Sequence, residues 1–244
     1  GDYNGKEWLE STPYSGLLSG KYGMSYLVGS TLMEGGNAPC SIKIKSYTGS
    51  YVLPVYISTG DGEYTVQTKD NFNEGSESEY TVPCFVYKGY GSDITPTAAY
   101  SAEELLYRDF VYSNYLNIDK ETADYMQSLI EREGFDADDS DIVSKVAAYI
   151  RGCAEYNLKY NKALDDESNK VIAFLETYKE GICQHYASAA TLLFRQLGIP
   201  ARYTVGFSAR TEADNWAEVT AKQAHAWVEV YINGVGWISV EVTG

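Results

Sequence analysis

Residues 181–188 read GICQHYAS, and this stretch determines what fold the surrounding chain is expected to adopt. Apolar residues then recur at helical intervals up to a stop signal, Gly198 and Pro200, which predicts a helix over about 183–197. Cys183 therefore lies in the first helical turn, where unpaired backbone N–H groups and the helix dipole favour a thiolate. A free cysteine is often simply a small core residue, but the glycine and the polar side chain beside this one argue against that role.

Two later stretches show the alternation that is typical of β-strands. Residues 224–230 read AHAWVEV, residues 236–243 read GWISVEVT, and an asparagine followed by a glycine lies between them as a turn signal. This pattern predicts a hairpin. If the aliphatic faces match, His225 and Glu241 share the opposite face, because side chains alternate strictly along a strand. A carboxylate there can orient an imidazole and stabilise its charged form.

The length of the hairpin loop decides whether these two side chains meet. A two-residue turn over Asn233 and Gly234 would place His225 and Glu241 on opposite faces, whereas a loop of three or five residues keeps them on one face. We predict the odd-length loop, with Gly234 or Gly236 at a positive φ.

Together these motifs resemble the transglutaminase-like superfamily, papain-related thiol enzymes whose bacterial members often read GxCxHYA, then HAWxEV, then GWxxxDPT. The resemblance covers residues 108–243 and implies an α+β catalytic domain in which the helix bearing the cysteine packs on an antiparallel sheet. It implies a triad of Cys183 as nucleophile, His225 as base and Glu241 as the orienting carboxylate. Where the family has aspartate and then proline, this chain has Glu241 and Val242. We predict that the longer glutamate still reaches the imidazole, because the residue after it regains an N–H and a freer φ.

The resemblance also implies a cysteine-dependent acyl-transfer enzyme that acts on peptide or side-chain amides through a thioester. Transfer to water would make a cysteine protease or amidase, and transfer to an amine would make a protein-glutamine transglutaminase. We favour hydrolysis of a protein or peptide, cell-wall peptides included. An alternative from another class is a non-catalytic cell-surface binding module with the same fold. No cofactor is expected, and no recurring pair of cysteines or histidines indicates a metal site.

The two histidines of the chain have different expected roles. His185 lies two residues from Cys183 on the predicted helix, where side chains at that spacing point apart. We therefore assign the role of base to His225 and predict a supporting hydrogen-bond role for His185.

Residues 1–97 differ in character from the rest of the chain. They are rich in Gly, Tyr, Ser and Thr, and have almost no helical periodicity. Their short alternating runs predict a small antiparallel β domain, sandwich-like, which precedes a catalytic domain over residues 98–244. The predicted strands are residues 40–47, 51–58, 63–69 and 79–88. In the second domain, the predicted helices are residues 120–133, 141–155 and 171–178, and a strand is expected at 201–208.

The amino-acid composition limits the classes of molecule that this chain is expected to bind. The formal net charge of −15 disfavours nucleic acid and anionic membranes, which would be repelled. The sequence has no apolar run long enough to predict a membrane-spanning helix. We expect an extracellular or cell-surface location. We also expect this chain to be a fragment of a longer secreted or membrane-anchored protein. Of four cysteines, Cys153 falls on an apolar helical stripe, which leaves Cys40 and Cys84 as candidates for a disulfide. The sequence has no distance information that would favour this pairing.

Overall fold

The computed structural model describes residues 1–9, 39–46, 78–85, 102–209, 214–234 and 236–243. Its elements in chain order are β1 (Pro39–Ser46), β2 (Ser78–Phe85), α1 (Ala102–Asn114), α2 (Lys120–Glu133), α3 (Ile142–Gly152), β3 (Glu155–Tyr156), α4 (Lys170–Ala173), β4 (Glu180–Gly181), α5 (Cys183–Gln196), β5 (Ala201–Phe207), β6 (Ala224–Ile232) and β7 (Gly236–Val240). Short 3-10 turns lie at Lys162–Asp166 and Ala221–Gln223, and a π-helical turn, Phe174–Tyr178, follows α4.

The chain divides into two compact units. One comprises residues 1–12, 108–231 and 238–244, and the other comprises residues 13–107 and 232–237. The division into domains at 1–97 and 98–244 stays a prediction, because most of the first segment lies outside the described residues.

In the second unit, β1 and β2 form an antiparallel pair. The register places Cys40 opposite Cys84 and Ser46 opposite Ser78. Two of the four predicted strands are therefore present and pair with each other, although they are the first and the last in sequence. The predicted strands at 51–58 and 63–69 lie outside the described residues.

Helices α2 and α3 form in the two regions where the sequence predicts helices, and of the two only α2 has a side-chain cap at its start. Asp119 accepts a hydrogen bond from the third residue of α2, and Gly134 ends that helix in the left-handed conformation at φ 69°. The apolar stripe of α2 is buried, as is that of α3, and both helices pack on α5. The predicted end of α3 at residue 155 was wrong, because the helix stops at Gly152 and the chain turns into β3. Cys153 consequently lies just beyond the helix.

Helix α5 is the centre of the first unit. It begins at Cys183, as predicted, and all of its residues except Gln184 and Gln196 are buried. The fully buried run over residues 192–194 packs among the neighbouring helices and β5. Among the described helices, none combines the length and apolar character needed to cross a membrane.

Strands β5, β6 and β7 form a sheet in that order. β5 and β6 are antiparallel, with Ala201 opposite Val230 and Phe207 opposite Ala224. Three residues separate the end of β6 from the start of β7, and Gly234 and Gly236 have φ of 75° and 102°. The predicted odd-length loop is confirmed. The α+β class, with the cysteine-bearing helix packed on an antiparallel sheet, is confirmed as well.

Residues 1–9 pack on this same unit, a feature that the sequence did not indicate. The indole Nε1 of Trp8 donates to Ser188 Oγ on α5 at 2.9 Å, and the Trp8 ring stacks on Tyr203 of β5 with centroids 5.3 Å apart. The carbonyl of Gly5 accepts from the backbone N–H of Lys170 at 2.9 Å. The N-terminal segment therefore supports both elements that meet at Cys183.

We expect Trp8→Ala to lower the free energy of unfolding by about 3 kcal/mol, because it removes a large ring from between α5 and β5. Trp8→Phe should cost less, since it keeps an aromatic contact and loses only the hydrogen bond to Ser188. Leu9→Ala is the matched control, because Leu9 is exposed. Urea unfolding of the three variants measures the difference, and equal midpoints for Trp8→Ala and Leu9→Ala would contradict a supporting role.

Candidate active site

Cys183 is the first residue of α5 and follows the cap residue Ile182. Its side chain is 8 % exposed and packs with Ala187 of its own helix, Ala226 of β6 and, at the edge, Tyr203 of β5. Because Ala226 is the residue after His225, the helix start lies against the strand that carries the predicted base.

His225 and Glu241 are in contact. His225 Nε2 lies 2.7 Å from Glu241 Oε2, a hydrogen-bond distance, so the predicted contact is present. His225 lies opposite Gly206 in the β5–β6 register, and Glu241 is the residue directly after β7. With Nε2 engaged by the carboxylate, Nδ1 is the imidazole nitrogen left for exchange with a nucleophile.

The Glu241 carboxylate is held from its other side by the chain that follows it. Its Oε1 accepts hydrogen bonds from the backbone N–H groups of Val242 at 3.0 Å and Thr243 at 2.9 Å, and from Thr243 Oγ1 at 2.5 Å. Partial burial by itself would raise the pKa of Glu241, but the bonds from Thr243 and His225 hold it below its ordinary value. A proline at position 242 would have no N–H to donate. The two departures from the family pattern therefore act together: the longer carboxylate uses the donor that Val242 restores.

The orientation of His225 has further support along β6. The Trp227 ring stacks against the imidazole with centroids 6.2 Å apart, and its indole Nε1 donates to Glu229 at 3.3 Å. Glu229 is buried and pairs with Arg202 at 2.5 Å. A Cβ at Gly206 would lie 2.9 Å from the Trp227 ring, so the absence of a side chain there admits the indole.

His185 acts on the start of α5. Its Nδ1 accepts a hydrogen bond from the Ile182 backbone N–H at 3.0 Å, which agrees with the predicted supporting role. The ring lies between Tyr160 and Phe174, with centroids 4.8 and 5.6 Å away. Burial lowers the pKa of His185 to about 4, and Asp165 only partly offsets this effect. The imidazole is therefore neutral near pH 7 and serves as the acceptor that caps the helix beginning at Cys183.

This cap predicts a pH dependence of stability. The pKa of His185 is lowered from 6.5 to about 4 in the folded state. The contribution of neutral His185 to the free energy of unfolding is therefore complete above pH 6.5 and is lost as the pH falls towards 4. His185→Gln is the matched variant, because glutamine at this position of a capping box can accept the same N–H without titrating. We expect urea midpoints of the parent chain to fall more steeply than those of His185→Gln between these pH values. Parallel pH profiles would contradict this role.

Tyr156 is a further candidate for the site, and the sequence did not indicate it. β3 pairs in parallel with β4, which sets Tyr156 opposite Gly181, two residues before Cys183. Partial burial raises the pKa of the Tyr156 hydroxyl, and the charge and side chain of Cys183 raise it as well, whereas the hydrogen bond with the Cys183 backbone lowers it. The phenol therefore lies beside the Cys183 N–H. In the sequence, Tyr156 and Tyr160 lie at the two ends of the same short segment, and nothing distinguishes one tyrosine from the other.

A family model matches the region that contains these residues. Residues 123–242 match the family model described as the transglutaminase-like superfamily. The match includes Cys183, His225 and Glu241.

Two curated relatives have similar segments. One is described as uncharacterized protein YebA of Bacillus subtilis, 39% identical over 84 residues, which are 32% of this chain and 11% of that protein. The other is described as protein-glutamine gamma-glutamyltransferase of Pseudomonas aeruginosa, 40% identical over 72 residues, which are 29% of this chain and 11% of that protein. The chain thus spans about a tenth of each relative's length.

A solved structure, the periplasmic domain of TgpA from Pseudomonas aeruginosa bound to ethylmercury, is also similar. The superposition has a TM-score of 0.49 and 22% sequence identity, and covers 70% of this chain and 58% of that one.

Proposed function

This chain belongs to the transglutaminase-like superfamily through residues 123–242, and on that premise we propose that it is a cysteine-dependent acyl-transfer enzyme that acts on amides. The observation that carries the proposal is the 2.7 Å contact between His225 Nε2 and Glu241 Oε2, next to the helix that begins at Cys183. An oriented imidazole beside a thiol at a helix start is the arrangement that nucleophilic catalysis by cysteine requires.

In the first step, Cys183 attacks the amide carbonyl carbon and His225 Nδ1 takes the thiol proton. The Glu241 carboxylate stabilises the imidazolium that forms, because its lowered pKa keeps it ionised. Its four hydrogen bonds, one from His225 and three from the two residues that follow it, hold the carboxylate in a fixed orientation.

The tetrahedral intermediate needs donors for its negative oxygen. The Cys183 backbone N–H at the start of α5 supplies one donor. We assign the second to the Tyr156 hydroxyl, which lies beside that N–H and is protonated at neutral pH, since the ordinary pKa of a phenol is 10 and that of Tyr156 is raised further. When the intermediate collapses, His225 returns its proton to the leaving amine and a thioester on Cys183 remains.

The acceptor that resolves the thioester sets the reaction class. We propose water as the main acceptor, and the exposure of Glu241 and Tyr156 leaves this side of the site open to solvent. Transfer to a primary amine is the second candidate. It is supported by the 40% identity over 72 residues to a relative whose name describes gamma-glutamyl transfer.

A substrate assay with and without an added amine tests the proposal. The chain is incubated with glutamine-containing peptides and cell-wall peptides, with or without a fluorescent primary amine, and products are identified by mass spectrometry. Hydrolysis predicts a new carboxylate in both conditions, whereas transamidation predicts incorporation of the amine. A Cys183 thioester trapped by acid quenching supports either outcome. Absence of product and of an acylated Cys183 across the panel would overturn the proposal in favour of a non-catalytic binding module.

We propose an extracellular or cell-surface setting for this activity, with a protein or peptide as substrate. The net charge of −15 is compatible with that setting and unfavourable for binding nucleic acid or anionic lipid. Cell fractionation with an antibody against this chain measures the location.

A further inference from the structure

The register of β1 and β2 brings two cysteine positions together. Cys40 and Cys84 are direct partners across the antiparallel pair, although the whole segment 41–83 separates them in sequence. Direct partners in such a pair have Cα atoms about 4.5 or 5.5 Å apart, according to their place in the hydrogen-bonding pattern. Both separations lie within the range of about 4.4–6.8 Å that a disulfide requires.

The two positions also share a face of the pair. Direct partners lie on the same side of a sheet, and the positions that follow on that side are Ile42 opposite Val82 and Ile44 opposite Tyr80. The other side carries Lys43 opposite Thr81 and Lys45 opposite Glu79. Cys40 and Cys84 thus lie at the end of an apolar row, where a crosslink continues the pattern and introduces no charge.

We propose that Cys40 and Cys84 form a cross-strand disulfide. The reaction joins two thiols by one S–S bond. Each thiol releases its proton, and the two electrons reduce the disulfide of an oxidant such as oxidised glutathione to two thiols. The crosslink closes segment 41–83 into a loop, which restricts the unfolded chain and stabilises the pairing of β1 with β2. This inference does not depend on catalysis by Cys183.

The other two cysteines are consistent with this assignment. Cys153 and Cys183 are free thiols, and both lie in the first compact unit, whereas Cys40 and Cys84 lie in the second. Pairing within the second unit leaves the Cys183 thiol available for chemistry. Burial raises the pKa of Cys153 to about 11, so that thiol is a poor partner for exchange at neutral pH.

Peptide mapping after oxidation tests the proposal. The reduced chain is equilibrated with reduced and oxidised glutathione, alkylated, and digested with trypsin, which releases Cys40 in peptide 22–43 and Cys84 in peptide 70–88. The expected result is a linked pair of these two peptides that separates on reduction, with Cys153 and Cys183 unlinked. Recovery of both peptides as alkylated or glutathione-bearing species, or linked to either other cysteine, would overturn it.

A register control shows whether the link depends on strand pairing. In the double variant Cys40→Ser, Ser41→Cys, the cysteine moves one position and onto the opposite face, where its direct partner is Pro83. The linked pair should disappear in this variant. If peptides 22–43 and 70–88 link as efficiently as in the parent chain, the register does not determine the bond and the inference is wrong.

Discussion

Replacement of Cys183 by alanine is expected to reduce kcat/KM for amide substrates by at least ~10⁴-fold, to the level of the reaction in buffer. The reason is that His225 and Glu241 can move and stabilise a proton but cannot form the thioester. The fold should persist, since alanine favours a helix and fills most of the same space. Initial rates of product release in the peptide assay measure the effect, with circular dichroism as the check on folding.

The chain has a matched control for this experiment in Cys153. Cys153 is half-buried just beyond α3, where its Sγ contacts the Ile150 carbonyl at 3.0 Å, and burial raises its pKa to about 11. Cys153→Ala should therefore keep full activity. For the same reason, iodoacetamide at neutral pH should label Cys183 before Cys153. Equal rates for the parent chain and Cys183→Ala would refute the proposed mechanism.

The second large effect is expected at the carboxylate. Glu241→Gln should lower kcat/KM by roughly 10²- to 10⁴-fold, because a neutral amide neither stabilises the imidazolium nor reliably selects the required tautomer. Activity should not vanish, since Cys183 and His225 remain. The pKa of Glu241 in the folded state lies below its ordinary value. The ionised carboxylate therefore stabilises the fold above about pH 4.5, and this stabilisation is lost as the pH falls through the pKa of the folded state. A Glu241→Gln variant with full activity would exclude the assigned role.

The contribution of the Val242 backbone N–H to the role of Glu241 can be tested separately. Val242→Pro removes a donor to Glu241 Oε1 and should lower activity up to about tenfold, the worth of one hydrogen bond. Val242→Ala keeps the N–H and is the matched control for lost volume, since Val242 is fully buried. The double variant Glu241→Asp, Val242→Pro restores the family's pair and should be more active than Val242→Pro alone. Additive losses in this cycle would show that the two positions are independent.

Local signals in the sequence were sufficient for the elements that form the site. Helix α2 was predicted at its observed bounds, and in the structure Asp119 and Gly134 cap its two ends. The start of α5 at Cys183 followed from a glycine before an apolar periodic run. The odd-length hairpin loop was predicted because only such a loop keeps His225 and Glu241 on one face of the sheet. Gly234 provides the positive φ that the turn needs.

Contacts between distant segments were decided only by the tertiary structure. Trp8 meets Ser188 across 180 residues of sequence, and the parallel pairing of two-residue strands sets Tyr156 opposite Gly181. Such contacts leave no periodic pattern, because each depends on how whole elements dock. Likewise, the sequence contains no information on the spatial distances between the four cysteines. Only the strand register makes Cys40 and Cys84 partners.

The candidate site, too, depends in part on the sequence and in part on the tertiary structure. Which residues are candidates for the chemistry was determined by the sequence, because a thiol at a helix start and an imidazole and carboxylate on one strand face follow from side-chain type and periodicity. Whether the Glu241 carboxylate lies within hydrogen-bonding distance of His225 was decided by the folded chain. That distance depends on the backbone after β7, where the N–H groups of Val242 and Thr243 hold the longer side chain in place.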